Sequence, residues 1–145
     1  MRALIQRVTN AKVSVKDRMI SQIGKGFLVL LGITHSDTET EINYLVEKIA
    51  NLRVFGDEND KMNLSLVDIK GEVLIVSQFT LYADCKRGRR PDFIDAAKPE
   101  LANELYKKFI QRFKETGLKV GEGEFGAMMD IELVNSGPVT IMLEI

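Results

Sequence analysis

The chain has 145 residues, 45% hydrophobic and 28% charged, with a formal net charge of −1. This is the composition of one globular domain, 1–145, and it leaves any nucleic-acid contact to a local basic patch rather than to a global field. One cysteine (Cys85) and one histidine (His35) exclude an intrachain disulfide, and no HExxH or CxxC spacing is present, so neither a metal site nor a cofactor is expected. MRALIQRVTN lacks the apolar run of a signal peptide, and no stretch approaches the ~20 apolar residues of a membrane span. A cytoplasmic chain with no membrane partner is therefore expected.

Residues 2–15 read as a strand, with Ala11, Val13 and Val15 alternating with polar residues. Residues 20–34 read as a hairpin turning at Gly24-Lys25-Gly26, its second arm FLVLLGI buried on both faces. Thr38 and Glu41 have capping-box spacing, and Ile42, Leu45, Val46, Ile49 and Leu52 then form a helical stripe. GDENDKMN is a polar loop. Residues 64–69 and 72–82 read as strands on either side of Lys70-Gly71. A second helix runs from Pro99 to about Thr116, with Pro99 suited to its first turn and Gly117 to its C-cap. Two further strands finish the chain. The fold class is α+β: a mostly antiparallel or mixed sheet curled into a barrel-like core, with two helices packed on it. No G-x-G-x-x-G or P-loop follows a strand, which removes support for nucleotide-cofactor folds.

In VLIVSQFTLYAD the polar residues Ser77, Gln78 and Thr80 interrupt an apolar run and need partners. They either pair with backbone at a sheet edge or floor a polar pocket in which backbone N–H groups face an oxyanion. Ser77 and Thr80 are poor nucleophiles, since no base is tied to either and no G-x-S-x-G elbow is present. CKRGRRPDF places Lys86, Arg87, Arg89 and Arg90 together, as a solvated loop or as phosphate contacts. In EFGAMMDIEL, Phe125, Met128 and Met129 are core or the wall of an apolar pocket. Arg7 interrupts an apolar strand, facing solvent or hydrogen-bonding a strained carbonyl. At the C-terminal end, apolar residues alternate on both sides of NSGP, at 135–138. That segment is a hairpin turn, or else Gly137-Pro138 is itself a functional element.

SQFT at 77–80 and NSGPVT at 135–140, with MRALIQRV, KRGRRPDF and FGAMM, resemble the D-aminoacyl-tRNA deacylases from end to end. The resemblance implies a homodimer of barrel-like subunits that hydrolyses the ester joining a D-amino acid to the terminal adenosine of tRNA. It assigns catalysis to Ser77, Gln78, Phe79 and Thr80. It implies that Gly137-Pro138 is a cis peptide reaching into the partner subunit's pocket, steadied by Arg7 and accompanied by Met129. Fixed carbonyls there accept from a D-aminoacyl ammonium and block an L side chain; glycine has no side chain to block, so glycyl-tRNA is also an expected substrate. Backbone N–H groups near Phe79 and Thr80 are the expected oxyanion donors, with the adenosine 2′-OH assisting water that Thr80 orients. Lys86, Arg87, Arg89 and Arg90 are expected to hold the tRNA acceptor end without reading sequence. Three other readings stand beside this one: a non-catalytic RNA-binding β-barrel module, a hydrolase of small acyl esters, and an oligomeric structural domain.

Overall fold

A computed structural model describes residues 1–86 and 88–145. The first strand, β1 (Arg2–Val15), organises the fold. It turns at Lys16-Asp17, both at positive φ (49° and 62°), and the chain returns antiparallel as β2 (Arg18–Ile23) and then β3 (Gly26–Gly32). β2 pairs with the second half of β1 and β3 with the first half. Gly24-Lys25 is therefore a jog between two strands that run the same way, not the turn of a hairpin between them. The glycine at the jog answers to crowding rather than to turning. A Cβ on Gly26 would lie 1.8 Å from the carbonyl oxygen of Glu72.

From β3 the sheet continues in parallel through β6 (Glu72–Ser77) to β7 (Lys119–Glu122). Each parallel step needs a crossover, and a helix lies in each: α1 (Glu39–Ala50) before β6 and α2 (Pro99–Lys114) after it. The predicted capping box starts α1: Thr38 Oγ1 accepts from the Thr40 N–H at 3.2 Å and Glu41 Oε2 accepts from the Thr38 N–H at 2.7 Å. Pro99 opens α2 as predicted. A two-stranded ribbon, β4 (Phe55–Gly56) with β5 (Met62–Leu64), lies off the main sheet. The last strand, β8 (Asp130–Glu144), runs antiparallel along nearly all of β1.

The sheet curls until β2 approaches β7. A Cβ on Gly121 would lie 2.5 Å from Ser21 Oγ and 3.3 Å from Ile23 Cγ2. This nearly closes a barrel and divides the core in two. Ala3, Ile5, Phe27, Val29, Val73 and Ile75 face the helices, whereas Val8, Ala11, Val13, Leu28, Leu74 and Val76 fill the inside of the curl. β1 serves both clusters, its first half one and its second half the other.

Two predicted strands end early. Residues 65–70 form a turn, not a strand: Asp68 Oδ2 accepts from the Ser65 N–H at 2.8 Å and from its hydroxyl at 2.7 Å, while Ser65 Oγ accepts from the Asp68 N–H at 3.1 Å. The strand expected over 72–82 stops at Ser77, and Phe79–Tyr82 form one turn of 3-10 helix. The side-by-side alternation expected beyond Ser77 therefore does not occur. No helix of the described residues is long and apolar enough to cross a membrane.

Candidate active site

β6 delivers the polar residues to the end of the sheet. Its interior residues are buried, and its last bond runs from the Gln78 N–H to the Leu31 carbonyl at 2.8 Å. The chain then tightens into the 3-10 turn, which rests on Gly32. A Cβ there would stand 3.1 Å from Leu81 Cβ and 3.3 Å from the Gln78 carbonyl oxygen. Arg2 holds the far side of the turn. Its Nη1 donates to the Leu81 carbonyl at 2.8 Å, its guanidinium lies 4.4 Å from the centre of the Tyr82 ring, and Glu144 takes the remaining side of the fork at 2.7–2.8 Å. Burial pushes the Tyr82 phenol up to about 12, so it stays neutral beside this cation.

The opening N–H groups of a helix have no acceptor within it. Those of Phe79 and Thr80 donate to no protein acceptor among the described residues. They border a cleft of about 780 Å³. Ser77, Gln78, Phe79 and Thr80 line one side, and Phe125, Met128 and Met129 another. Met129 lies over Gly123, where a Cβ would come within 2.9 Å of its sulfur. The Gln78 side-chain amide donates to the Thr80 hydroxyl. Lys98, at the start of α2, is the only charged residue lining the cleft among the described residues. His35 is engaged elsewhere, with Nε2 hydrogen-bonded to the Ile94 carbonyl at 2.7 Å. The cleft thus offers backbone donors and apolar walls, and among the described residues no carboxylate or imidazole lines it.

The second predicted constellation lies apart in the same chain. Arg7 pairs with Phe27 and Ser77 with Leu31, four strand residues away, or roughly 13 Å. NSGP is not a hairpin turn. β8 keeps its direction through it, but the ladder to β1 jumps from Gln6↔Thr140 to Val8↔Asn135, so 136–139 bulge out opposite Arg7. The neck of the bulge is tied by Asn135, whose Oδ1 accepts from the Val139 N–H and whose Nδ2 donates to Thr140 Oγ1, both at 2.9 Å. Arg7 Nε donates to the Ser136 carbonyl at 2.9 Å, and Nη1 donates to the Val54 carbonyl. The Gly137-Pro138 peptide is cis. Arg7 and Ser136 line a separate hollow of about 400 Å³. The structure therefore brings Met129 to Ser77–Thr80 but leaves Arg7, Gly137 and Pro138 at a different place on the same subunit.

The basic segment leaves the turn and returns beside it. Asp84 and Asp92 close its neck through backbone bonds of 2.8 and 3.0 Å. Lys86, Arg89 and Arg90 are exposed; Arg87 lies outside the described residues. Phe93, immediately past the neck, lines the cleft and contacts the Phe79 ring. Phe93, Gly32 and Gly123 were not predicted from the sequence. Phe93 was overshadowed by the charge run before it, and the two glycines carry no signal until their neighbours are known.

The architecture has close counterparts. The chain superimposes on a solved structure titled c-Myc DNA Unwinding Element Binding Protein with a TM-score of 0.93 and 45% identity, covering 99% of this chain and 98% of that one. A structure described as a probable eukaryotic D-amino acid tRNA deacylase shares the fold at a TM-score of 0.89 and 18% identity, with 99% and 98% coverage. Residues 4–144 match the family described as D-Tyr-tRNA(Tyr) deacylase, and the chain belongs to it. Relatives named D-aminoacyl-tRNA deacylase include one from Clostridioides difficile strain 630, 59% identical over 99% of this chain and 97% of that one. Another, from Thermosipho africanus, is 57% identical with the same coverage.

Proposed function

We propose that this chain is a hydrolase of D-aminoacyl-tRNA, acting in the cytoplasm as a homodimer without metal or cofactor. The observation that carries the reading is the pair of N–H groups at Phe79 and Thr80, unengaged among the described residues, in a stretch that lines a cleft where Lys98 is the only acid or base among the described residues. Such a site stabilises an oxyanion by fixed dipoles. In this reading, water adds to the ester carbonyl carbon and the carbonyl electrons move onto oxygen, held by the two N–H groups. The intermediate then collapses, expelling the ribose oxygen. The adjacent 2′-OH relays the proton from the attacking water to the leaving oxygen, and Thr80, held by Gln78, orients that water. Ser77 completes the strand end that carries the turn.

Chirality is assigned to the partner subunit's Gly137 and the partner subunit's Pro138. The separation of this bulge from the cleft in one subunit supports that assignment, because a second copy is needed to bring the two together. Their carbonyls accept the D-aminoacyl ammonium and block an L side chain, so glycyl-tRNA is also cleaved. Arg7 steadies the bulge, Met129 walls the cleft, and Lys86, Arg87, Arg89 and Arg90 hold the acceptor end through phosphates.

The deciding experiment compares ester loss from D-tyrosyl-tRNA and L-tyrosyl-tRNA. Rapid loss of the D ester alone is expected; equal rates would sink the chiral reading. A second reading, nucleic-acid binding without catalysis, draws on the 45% identity to the protein named for binding a DNA unwinding element. Affinity for RNA or DNA with no ester turnover would favour it.

A further inference from the structure

Two aromatic rings line the cleft, one exposed (Phe79) and one half-buried (Phe93). Phe79 is 54% exposed. Phe93 meets it edge to face, with ring centroids 5.0 Å apart and planes at 67°. In such a contact one ring presents its edge, so its own faces stay uncovered by the partner. Ile94, the next residue, is 77% exposed.

The segment carrying Phe93 is held firmly. The Ile94 N–H donates to Asp92 Oδ1 at 2.9 Å, the Ala96 N–H to the Phe93 carbonyl at 3.0 Å, and Thr34 Oγ1 to the Asp95 carbonyl at 2.6 Å. The ring is thus displayed on preorganised backbone. Around it lie Lys86, Arg89 and Arg90 on the loop closed at Asp84–Asp92, and Lys98 in the cleft. None of these four joins an ion pair formed among the described residues.

An aromatic pair with one exposed ring, beside cations that form no ion pair among the described residues, is the kind of surface that binds single-stranded nucleic acid. Cations track the phosphates, and each base offers a π-face to stack. We propose that Phe93 is a further substrate-positioning residue: with Phe79 it forms an aromatic platform on which a base of the RNA's single-stranded 3′ end stacks, setting the ester into the cleft. The inference rests on the proposed deacylase reading and deepens it, since it assigns recognition of the nucleobase to a residue outside Ser77–Thr80 and the basic cluster.

The test uses tRNA whose terminal adenine is replaced by 2-aminopurine, bearing a D-aminoacyl group through a non-hydrolysable amide. Fluorescence quenching and Kd are measured on the wild type, Phe93→Leu and Phe93→Tyr. Stacking is worth ~1–3 kcal/mol per base, or roughly 5- to 150-fold in affinity. Phe93→Leu keeps the apolar bulk and should lose the quench, weaken binding by such a factor and raise KM for D-tyrosyl-tRNA with little change in kcat. Phe93→Tyr should restore both signals. A wild type that binds and turns over its substrate without quenching, or a Phe93→Leu variant with unchanged quench and affinity, overturns the platform while leaving the deacylase reading intact. If light scattering shows that Phe93→Leu alters only the oligomeric state, the pair is a contact between copies and the proposal falls. A wild type that neither binds nor turns over aminoacyl-tRNA overturns both readings.

Discussion

A Cβ on Gly137 would stand 2.7 Å from Arg7 Nη2. Gly137 also has φ of +132°, a region that side chains avoid. Bulge and guanidinium therefore fit only while residue 137 has no side chain. Gly137→Ala should push Arg7 off its acceptors and abolish D-tyrosyl-tRNA hydrolysis. The bulge is at an exposed strand, so the global loss of stability should stay near 1–3 kcal/mol. Urea unfolding beside an ester assay separates the two effects, and an active Gly137→Ala enzyme would overturn the role given to the bulge.

The N-terminal ammonium is buried against Asp37, with the amine nitrogen 2.7 Å from Oδ1, and the second carboxylate oxygen accepts from the Thr34 N–H at 2.7 Å. Removing one member of a buried pair leaves the other charge uncompensated, at a cost of ~3–5 kcal/mol. Asp37→Ala should lower the urea midpoint accordingly without changing the slope. A loss below 1 kcal/mol would mean that water replaces the carboxylate.

Gly32 is the seat of the 3-10 turn. Gly32→Ala places a methyl 3.1 Å from Leu81 Cβ and 3.3 Å from both the Gln78 carbonyl oxygen and Tyr82 Cδ2. The turn must lift, carrying the Phe79 and Thr80 N–H groups with it. Losing a well-placed oxyanion donor costs on the order of 100-fold in kcat. We expect at least a tenfold fall in single-turnover rate in a variant that still unfolds cooperatively. Unchanged turnover would show that the turn's placement does not matter to the chemistry.

Thr80 is expected to orient water rather than to attack. Thr80→Ala should retain deacylation with about a tenfold loss, or ~1.4 kcal/mol, whereas a tRNA lacking the terminal 2′-OH should lose far more. A trapped acyl-Thr80 intermediate, or a dead Thr80→Ala enzyme with full activity on the 2′-deoxy substrate, would restore Thr80 as nucleophile.

Glu72 gives the fold an acid-sensitive tie. Its carboxyl is held below the ordinary value of 4.5, first by the hydrogen bond from Lys119 and then by that from the Gly24 N–H; both are 2.8 Å long. The unfolded chain takes up this proton more readily. The contribution is therefore full above about pH 4.5 and lost as pH falls through the lower folded value. Glu72→Gln should lower stability at neutral pH and flatten its decline below pH 4.5 in denaturation series. An unchanged acid limb would remove Glu72 from the account.

Local chemistry was legible in the sequence wherever it acts over a few residues. Thr38 with Glu41 marked a helix start, Pro99 another, and the polar run Ser77–Thr80 marked the segment that borders the cleft, though not that the strand stops there. Errors arose where neighbours in space decide. Gly24-Lys25-Gly26 looks like a turn, yet Gly26 is small because the Glu72 backbone crosses it, while the true turn uses Lys16 and Asp17, ordinary residues at positive φ. Leu64, Leu66 and Ile69 suggested a strand, but the reciprocal bonds of Ser65 and Asp68 closed a turn first. Likewise, Gly137-Pro138 and Ser77–Thr80 are both visible as motifs. That one subunit keeps them apart is a property of register along β1, which no short motif encodes.

β8 has one neighbour, β1, among the described residues, so its other edge runs open for most of its length. Long open edges are templates for runaway strand addition, the route to fibres. This one is interrupted in the middle, where the backbone leaves the ladder and Pro138 has no N–H to offer an incoming strand. Its ends carry exposed Asp130, Glu132 and Glu144, charged side chains of the kind that blunt an open strand edge. The bulge that disrupts the ladder thus also acts as a gatekeeper, breaking the edge into two short, charged segments that resist aggregation.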